Sequence, residues 1–490
     1  MPKFPNTIHF TELNRPVRLE VAVRNLDIEG TLPPEIAGSF FRAVPDPAHP
    51  PLQDDDHALS GDGMVSRFFI ENGHVDYDIR YVHTARYLAE RKARRALFGR
   101  YRNPFTDLPE VRGIDRTVAN TTPVWHAGRL LMTKEDGHPY EVNPHTLETV
   151  GSFDFGGKLK SETMTAHVRI DPQTGEMFFF GYEASGLATR DVAYCIANAR
   201  GELVSEQWFQ APYVSSMHDF VITEKWALFP VYPTTTDLGR LKAGGVHWAH
   251  QQDLESWVGV MPRYGKVSEM RWFKGPKGVS AFHLTNAFED GKLIHMDACL
   301  TDTNGFPFMR EAGGIHRAQN ELRGGLTRWT FDMSRPGETF EEQVVGPPGD
   351  LPRIRDQDQG RPYRYVWMPS MNPNAKGPPL GGGPVGTAFN CLLRLDLATG
   401  QVEMLGLDAG MAVNEPVLVP SARANHNGWL LMVVDRQVAD DYKSELWVVD
   451  ADNITAGPIA KVPVPVPMRP QVHGWWVSAA ELAKSVRAPS

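Results

Sequence analysis

Four histidines stand at the entrance to β-prone segments: His167 in MTAHVRID, His218 in SMHDFVITEKWALFP, His283 in AFHLTNAFEDG and His473 in PQVHGWWV. Their separations run from tens to nearly two hundred residues, which excludes a compact zinc-finger loop. A histidine in such a position is ordinarily a hydrogen-bonded structural residue, and a chain with 17 histidines offers many sets of four. Brought together, however, this set would supply a specific chemistry. Imidazole suits iron, copper, zinc or nickel. Four neutral ligands leave a divalent ion its full charge and, in an octahedral arrangement, two open positions for dioxygen and a substrate or water. Such a site also needs acceptors behind the rings to fix their tautomers. Glu135 in MTKEDGHPY, Asp350 in GDLPRI and Glu415 in NEPVLVPS are candidates, although each alone reads first as a turn or capping carboxylate.

Something must position residues so far apart. After residue 120 an alternating apolar strand, a polar turn and a second strand recur, as in HVRIDPQTGEMFFFGYE, FNCLLRLDLATGQVEMLGL and SELWVVDADNI. The turns NPHTLE, DPQTGE, DLATGQ and DADNI have hairpin composition, and 44 glycines and 39 prolines fit many short strands joined by turns. Sheets repeated at intervals of several dozen residues suggest an all-β propeller, whose inner strands converge on an axis where distant histidines can meet. The period is too irregular to count blades, and a pair of β-sandwiches is the competing fold. Helical pattern is concentrated in TARYLAERKARRALFGRYRNPF, residues 84–105, whose basic residues read as a solvated face, with contact to an anionic membrane surface as the alternative. The segments LPRIRDQDQGRPYRY and NPNAKGPPLGGGPVG read as surface connections. Neither glycine run in the chain has the lysine and helix of a phosphate-binding loop.

The bulk numbers agree with a globular protein: 490 residues, 41% hydrophobic and 22% charged. A net charge of −9 argues against general nucleic-acid affinity and for a small-molecule partner. Cys195, Cys299 and Cys391 are an odd number with no CxxC pair, which suits a reducing compartment. The first residues have no signal-peptide core and no window reaches membrane-span length, so the expectation is a cytoplasmic protein without stable membrane insertion.

Along nearly the whole chain the sequence resembles the carotenoid cleavage oxygenase family, and within it the bacterial lignostilbene α,β-dioxygenases. The segments that carry the resemblance, in order, are GTLPPEIAGSFFRAVPDPA, HALSGDGMV, KEDGHPYEV, TAHVRIDPQTGEMFFFGY, SMHDFVITEKWALFP, FHLTNAFEDG, GDLPRI, NEPVLVP and VHGWWV. The resemblance implies one seven-bladed β-propeller domain over residues 1–490, with loops and short helices, residues 84–105 among them, forming a dome over a metal site. It implies iron(II) held by His167, His218, His283 and His473, with Glu135, Asp350 and Glu415 behind ligand histidines. Asp350 stands where many relatives have glutamate, so its reach is shorter. In the lignostilbene branch a tyrosine and a lysine grip the substrate's 4-hydroxyl group, and Tyr101 and Lys134 occupy the matching positions. A buried ammonium beside a phenol favours the phenolate, which pushes electron density toward the central alkene.

One stretch departs from the family. Around residues 57–64 the usual pattern is histidine, two aromatics, aspartate and GDGM, whereas this chain reads HALSGDGM. Ala58 and Leu59 therefore remove aromatic bulk, and Leu59, with Phe306 and Phe308 of NGFPF, is a candidate for the pocket wall. The resemblance as a whole implies an iron(II) dioxygenase that splits the central double bond of 4-hydroxystilbenes with dioxygen into two aromatic aldehydes. Two rivals stay open: an oxygenase of the same family acting on apocarotenoids or other alkenes, and a metal-free propeller used as a binding scaffold. A homodimer is also left open.

Overall fold

The computed structural model describes residues 3–304, 309–312, 323–383 and 388–487. Its architecture is the expected seven-bladed β-propeller, with seven sheets of three to six strands and one small accessory sheet among the described residues. Two compact units make up the chain: residues 1–153, 367–394 and 403–490, and residues 154–366 with 395–402.

The second unit holds three regular four-stranded blades. The first is built from Arg169–Ile170, Met177–Tyr182, Asp191–Ala197 and Leu203–Gln210, and its register sets Phe178 opposite Ile196 and Phe180 opposite Tyr194. The run MFFFGY is buried on both faces, as an inner propeller strand must be, whereas the outermost strand alternates between half-buried and exposed. Val221–Ile222, Trp226–Val231, Glu255–Pro262 and Arg271–Lys277 form the next blade. Ser280–Asp290, Leu293–Thr301, Gly324–Asp332 and Glu341–Gly346 form the third. Val258, Val260, Leu284, Ile294, Met296, Trp329 and Phe331 share one buried core, each large side chain removed from water contributing about 1.5–3 kcal/mol.

In the first unit a five-stranded blade pairs the C-terminal strand Gly474–Ser478 with Gly38–Pro45, so His473 is fixed at the end of a strand that the N-terminal segment holds. A second blade comprises Thr122–His126, Arg129–Thr133, Tyr140–Val142 and Thr149–Ser152, and a third is built on the long hairpin Trp429–Val438 and Asp441–Asp450. The remaining sheet joins Tyr365–Ser370, Cys391–Asp396 and Gln401–Gly406.

The turns follow the chemistry expected of them. Asn143 Oδ1 accepts from the His145 amide at 2.9 Å, Asp171 Oδ1 from Gln173 at 2.8 Å, Asp396 Oδ1 from Ala398 at 3.0 Å and Asp450 Oδ1 from Asp452 at 2.8 Å. In each the side chain closes the loop two residues on.

The helix in the basic segment covers Ala85–Ala93, shorter than the 84–105 pattern. Thr84 caps its start by accepting from the Tyr87 amide, and Arg94, at φ 58, turns the chain into the left-handed region and ends it. Among the described residues no helix is long and apolar enough to cross a membrane. The three cysteines are buried and unpaired.

Candidate active site

His167 follows a tight turn whose Thr165 is the local organiser. The Thr165 hydroxyl accepts from the His167 amide at 3.1 Å and donates to the His218 carbonyl at 3.2 Å, joining two histidine-bearing segments. His283 lies in Ser280–Asp290 where the register slips between Ala281 and Leu284, so one extra residue is inserted opposite the neighbouring strand. Bulges of this kind re-aim a side chain. His167 Nε2 stands 2.9 Å from His218 Nε2, which stands 3.3 Å from His283 Nε2. These three histidines all lie in the second unit, and His473 stands in the first, directly before the strand Gly474–Ser478.

The carboxylates behind the rings decide what those nitrogens can do. His283 Nδ1 is 2.8 Å from Asp350 Oδ1, so the shorter aspartate does reach its ring. The next residue, Leu351, has φ 55 and donates its own amide to Asp350 Oδ1 at 2.9 Å, which turns the carboxylate inward. The loop beyond is held to the His283 strand by Asn286, whose amide nitrogen donates to the carbonyls of Asp358 and Arg361, both at 3.0 Å. Likewise His473 Nδ1 is 3.0 Å from Glu415 Oε1, while Glu415 Oε2 accepts from the Gly474 amide at 2.7 Å. A carboxylate on Nδ1 places that ring's proton there and leaves Nε2 as a lone pair. Glu135 is buried and lies 3.7 Å from the Arg102 guanidinium.

Bare ring nitrogens 2.9 and 3.3 Å apart repel unless a proton or cation lies among them. Imidazoles bound at right angles to one first-row ion at about 2.1 Å stand about 3 Å apart. The donor set therefore fits a divalent transition metal.

A second constellation lies in the first unit. Lys134 directly follows the strand Arg129–Thr133, and its Nζ sits 5.2 Å from the centre of the Tyr101 ring. His57 lies against the other partner of this stack, with ring centroids of His57 and Tyr101 4.5 Å apart. Tyr101 is held in a turn closed by the Asn103 amide on the Arg100 carbonyl at 3.0 Å, and Arg116 grips both Asp107 oxygens and the Arg100 carbonyl. Gly99 is required beside this turn, because a Cβ there would come within 2.2 Å of the Thr106 hydroxyl. Burial raises the Tyr101 hydroxyl above its ordinary range, partly offset by the adjacent Arg102 guanidinium, so Tyr101 stays protonated at neutral pH. A guanidinium can only donate, so Arg102 makes no claim on the Tyr101 hydroxyl hydrogen, which stays available to an acceptor. Burial lowers the Lys134 ammonium, and the carboxylates of Asp136 and Glu135 partly restore it.

Leu59 is buried in the short turn Ala58–Ser60, with the Asn120 side-chain amide donating to the Leu59 and Gly61 carbonyls at 2.9 and 2.8 Å. Phe306 and Phe308 lie outside the described residues. Sequence reasoning assigned no role to Arg102, His57 or Asp219. For Arg102 and Asp219 the only signal was adjacency to Tyr101 and His218.

Fold and donor set together define the class, a propeller oxygenase with an all-imidazole metal site. The chain belongs to the family described as RPE65, retinal pigment epithelial membrane protein, whose model matches residues 14–478. It is 38% identical over 488 residues to lignostilbene-α,β-dioxygenase isozyme III of Sphingomonas paucimobilis, covering 98% of this chain and 99% of that one. It is 39% identical over 467 residues to isoeugenol monooxygenase of Pseudomonas nitroreducens, covering 94% and 96%. The crystal structure of Pseudomonas brassicacearum lignostilbene dioxygenase superposes with a TM-score of 0.93 at 38% identity, covering 98% of this chain and all of that one. The chain is thus an oxygenase that cleaves carbon–carbon double bonds, and the reading as a non-catalytic scaffold falls.

Proposed function

We propose that the protein is an iron(II) dioxygenase that cleaves the central double bond of 4-hydroxystilbenes to give two aromatic aldehydes. The observation that carries the substrate class is the buried Lys134 amine over the Tyr101 ring. An enclosed amine beside a phenol donor is costly to bury without a partner and suits a phenolic oxygen. His167, His218, His283 and His473 would hold the metal, with Asp350 and Glu415 fixing two rings and Glu135 assigned to a third. When bound, iron(II) supplies the activation of dioxygen and leaves positions open for it. Lys134 takes the proton of the bound 4-hydroxyl group, and Tyr101 donates its own hydroxyl hydrogen to the resulting oxyanion. The phenolate then enriches the alkene, and the two oxygen atoms of dioxygen end as the two aldehyde carbonyls.

A second substrate reading is favoured by Leu59. A smaller side chain where the family carries an aromatic loosens the grip on a second aryl ring. Isoeugenol, a phenol whose alkene carries only a methyl group, would need the same phenol grip and no second ring site. The cytoplasm is the proposed compartment, on the strength of three buried thiols.

Oxygen uptake by the iron(II)-loaded enzyme with identification of the aldehydes tests the proposal. A 4-hydroxystilbene should turn over, its 4-methoxy counterpart should not, and Lys134→Ala should abolish the difference. Faster turnover of isoeugenol selects the second reading. Preference for an apocarotenoid, indifferent to Lys134→Ala, defeats both.

A further inference from the structure

Beyond the ligands themselves, three of the histidine-bearing segments converge on one ion pair. Arg169, two residues after His167, donates from Nη2 to Asp219 Oδ1 at 2.7 Å and Oδ2 at 2.8 Å. Asp219 directly follows His218. The same guanidinium donates from Nε to the Phe220 carbonyl at 2.7 Å and from Nη2 to the Leu284 carbonyl at 3.2 Å. Asp219 Oδ2 in turn accepts from the Leu284 amide at 2.9 Å, and Leu284 directly follows His283. One arginine and one aspartate thus join all three histidine-bearing segments, two residues beyond His167 and directly after His218 and His283, and both are nearly enclosed, with side chains 11% and 3% exposed.

We infer that Arg169 and Asp219 are positioning residues that set the separation of the His167, His218 and His283 nitrogens. This rests on the metal-site reading above. The arrangement is suited to the task. Arginine is planar, permanently charged and able to serve several acceptors in a fixed fork, so it holds three strands in one geometry where lysine would hold one. Leu284 lies at the bulge that re-aims His283, so its amide and carbonyl are bound on the segment whose register is otherwise least constrained. A metal ion feels the result through ligand placement alone, since neither residue touches it.

The test uses purified full-length protein, apo and loaded with cobalt(II), whose visible spectrum reports ligand geometry. Affinity is read by chelator competition, and apo stability by thermal unfolding. The variants are Arg169→Lys, Arg169→Met and Asp219→Asn. The control is Arg263→Met, which breaks a comparably buried pair, Arg263 with Asp171 at 2.7 Å and the Thr223 carbonyl at 3.0 Å, four and five residues beyond His167 and His218. Arg169→Met and Asp219→Asn should weaken cobalt binding about 10- to 100-fold, the range for losing a partner that orients a ligand, and should shift the cobalt spectrum. Arg169→Lys should fall between them and wild type. The control should lower apo stability without moving affinity or spectrum. Equal affinity and spectrum across all Arg169 and Asp219 variants would overturn the inference and leave the pair merely structural. Should Arg169→Met fail to fold, Arg169→Lys and Asp219→Asn decide. Failure of wild type to bind cobalt or iron would instead overturn the metal-site reading.

Discussion

The two carboxylate–histidine pairs differ in burial, and that difference predicts their order of importance. Asp350 is 22% exposed and reaches His283 at 2.8 Å, while Glu415 is 5% exposed and reaches His473 at 3.0 Å. A hydrogen bond to a charged group contributes about 1.5–3 kcal/mol, with water competing at the more open site. At ~1.4 kcal/mol per factor of ten, Asp350→Ala should weaken iron(II) or cobalt(II) binding by about tenfold and Glu415→Ala by about a hundredfold. A second readout separates them further. Removing Glu415 leaves the buried Gly474 amide without its 2.7 Å acceptor, a penalty of about 1–3 kcal/mol that the apo protein also suffers. Glu415→Ala should therefore lower both metal affinity and apo unfolding temperature, and Asp350→Ala chiefly the first. Chelator competition and thermal unfolding on metal-stripped protein measure the two quantities. If Asp350→Ala matched or exceeded Glu415→Ala in affinity loss, burial would not be what governs these contacts.

Further outcomes are expected. His218→Ala should lose more metal affinity than either carboxylate variant and lose activity while keeping a folded circular dichroism spectrum; full metal occupancy would remove His218 from the ligand set. Lys134→Met should cost a 4-hydroxylated substrate about 10²- to 10⁴-fold in kcat and abolish the acid limb of the pH–rate profile. Because burial holds folded Lys134 below its unfolded value, the unfolded chain carries more protons between the two, so wild-type stability should rise with pH across that window relative to Lys134→Met. Leu59→Phe should change the ranking of phenolic substrates by second-ring size, and an unchanged ranking in competition assays would exclude Leu59 from the pocket wall. Chelated protein should stay folded. Metal at 100 times its Kd adds ~2.7 kcal/mol, which against an unfolding entropy of about 1 kcal/mol per kelvin for a chain this long lowers Tm by about 3 °C on stripping.

The strands and turns were legible because their signals are local. Alternation in KWALFP and the Asx chemistry of DPQTGE act over a few residues and need no partner. The histidine site was legible only through resemblance, since separations of 51, 65 and 190 residues carry no spacing rule. Asp350 shows the limit of side-chain length as a guide: the left-handed Leu351 supplies the reach that a missing methylene seemed to deny. The helix was overextended to residue 105 because the basic run continues past Arg94, while the backbone reverses there. Arg102 and Asp219 were invisible in function because a charged residue beside a ligand carries no sequence mark of the distant group it binds.

Asp219 and Glu415 show one solution reached twice. Each carboxylate accepts the amide of the residue that follows a histidine, Leu284 after His283 and Gly474 after His473. Glu415 also takes that histidine's ring proton, whereas on His283 the ring is assigned to Asp350 and the backbone to Asp219. An imidazole has two ways to drift from a metal, by ring rotation and by backbone displacement, and a ring contact alone controls only the first. With both controlled in the apo fold, the entropy of fixing each of these ligands is met by packing and hydrogen bonds before any ion arrives. Metal binding is then a local event on a standing site, unlike a zinc finger, where it is the folding reaction itself.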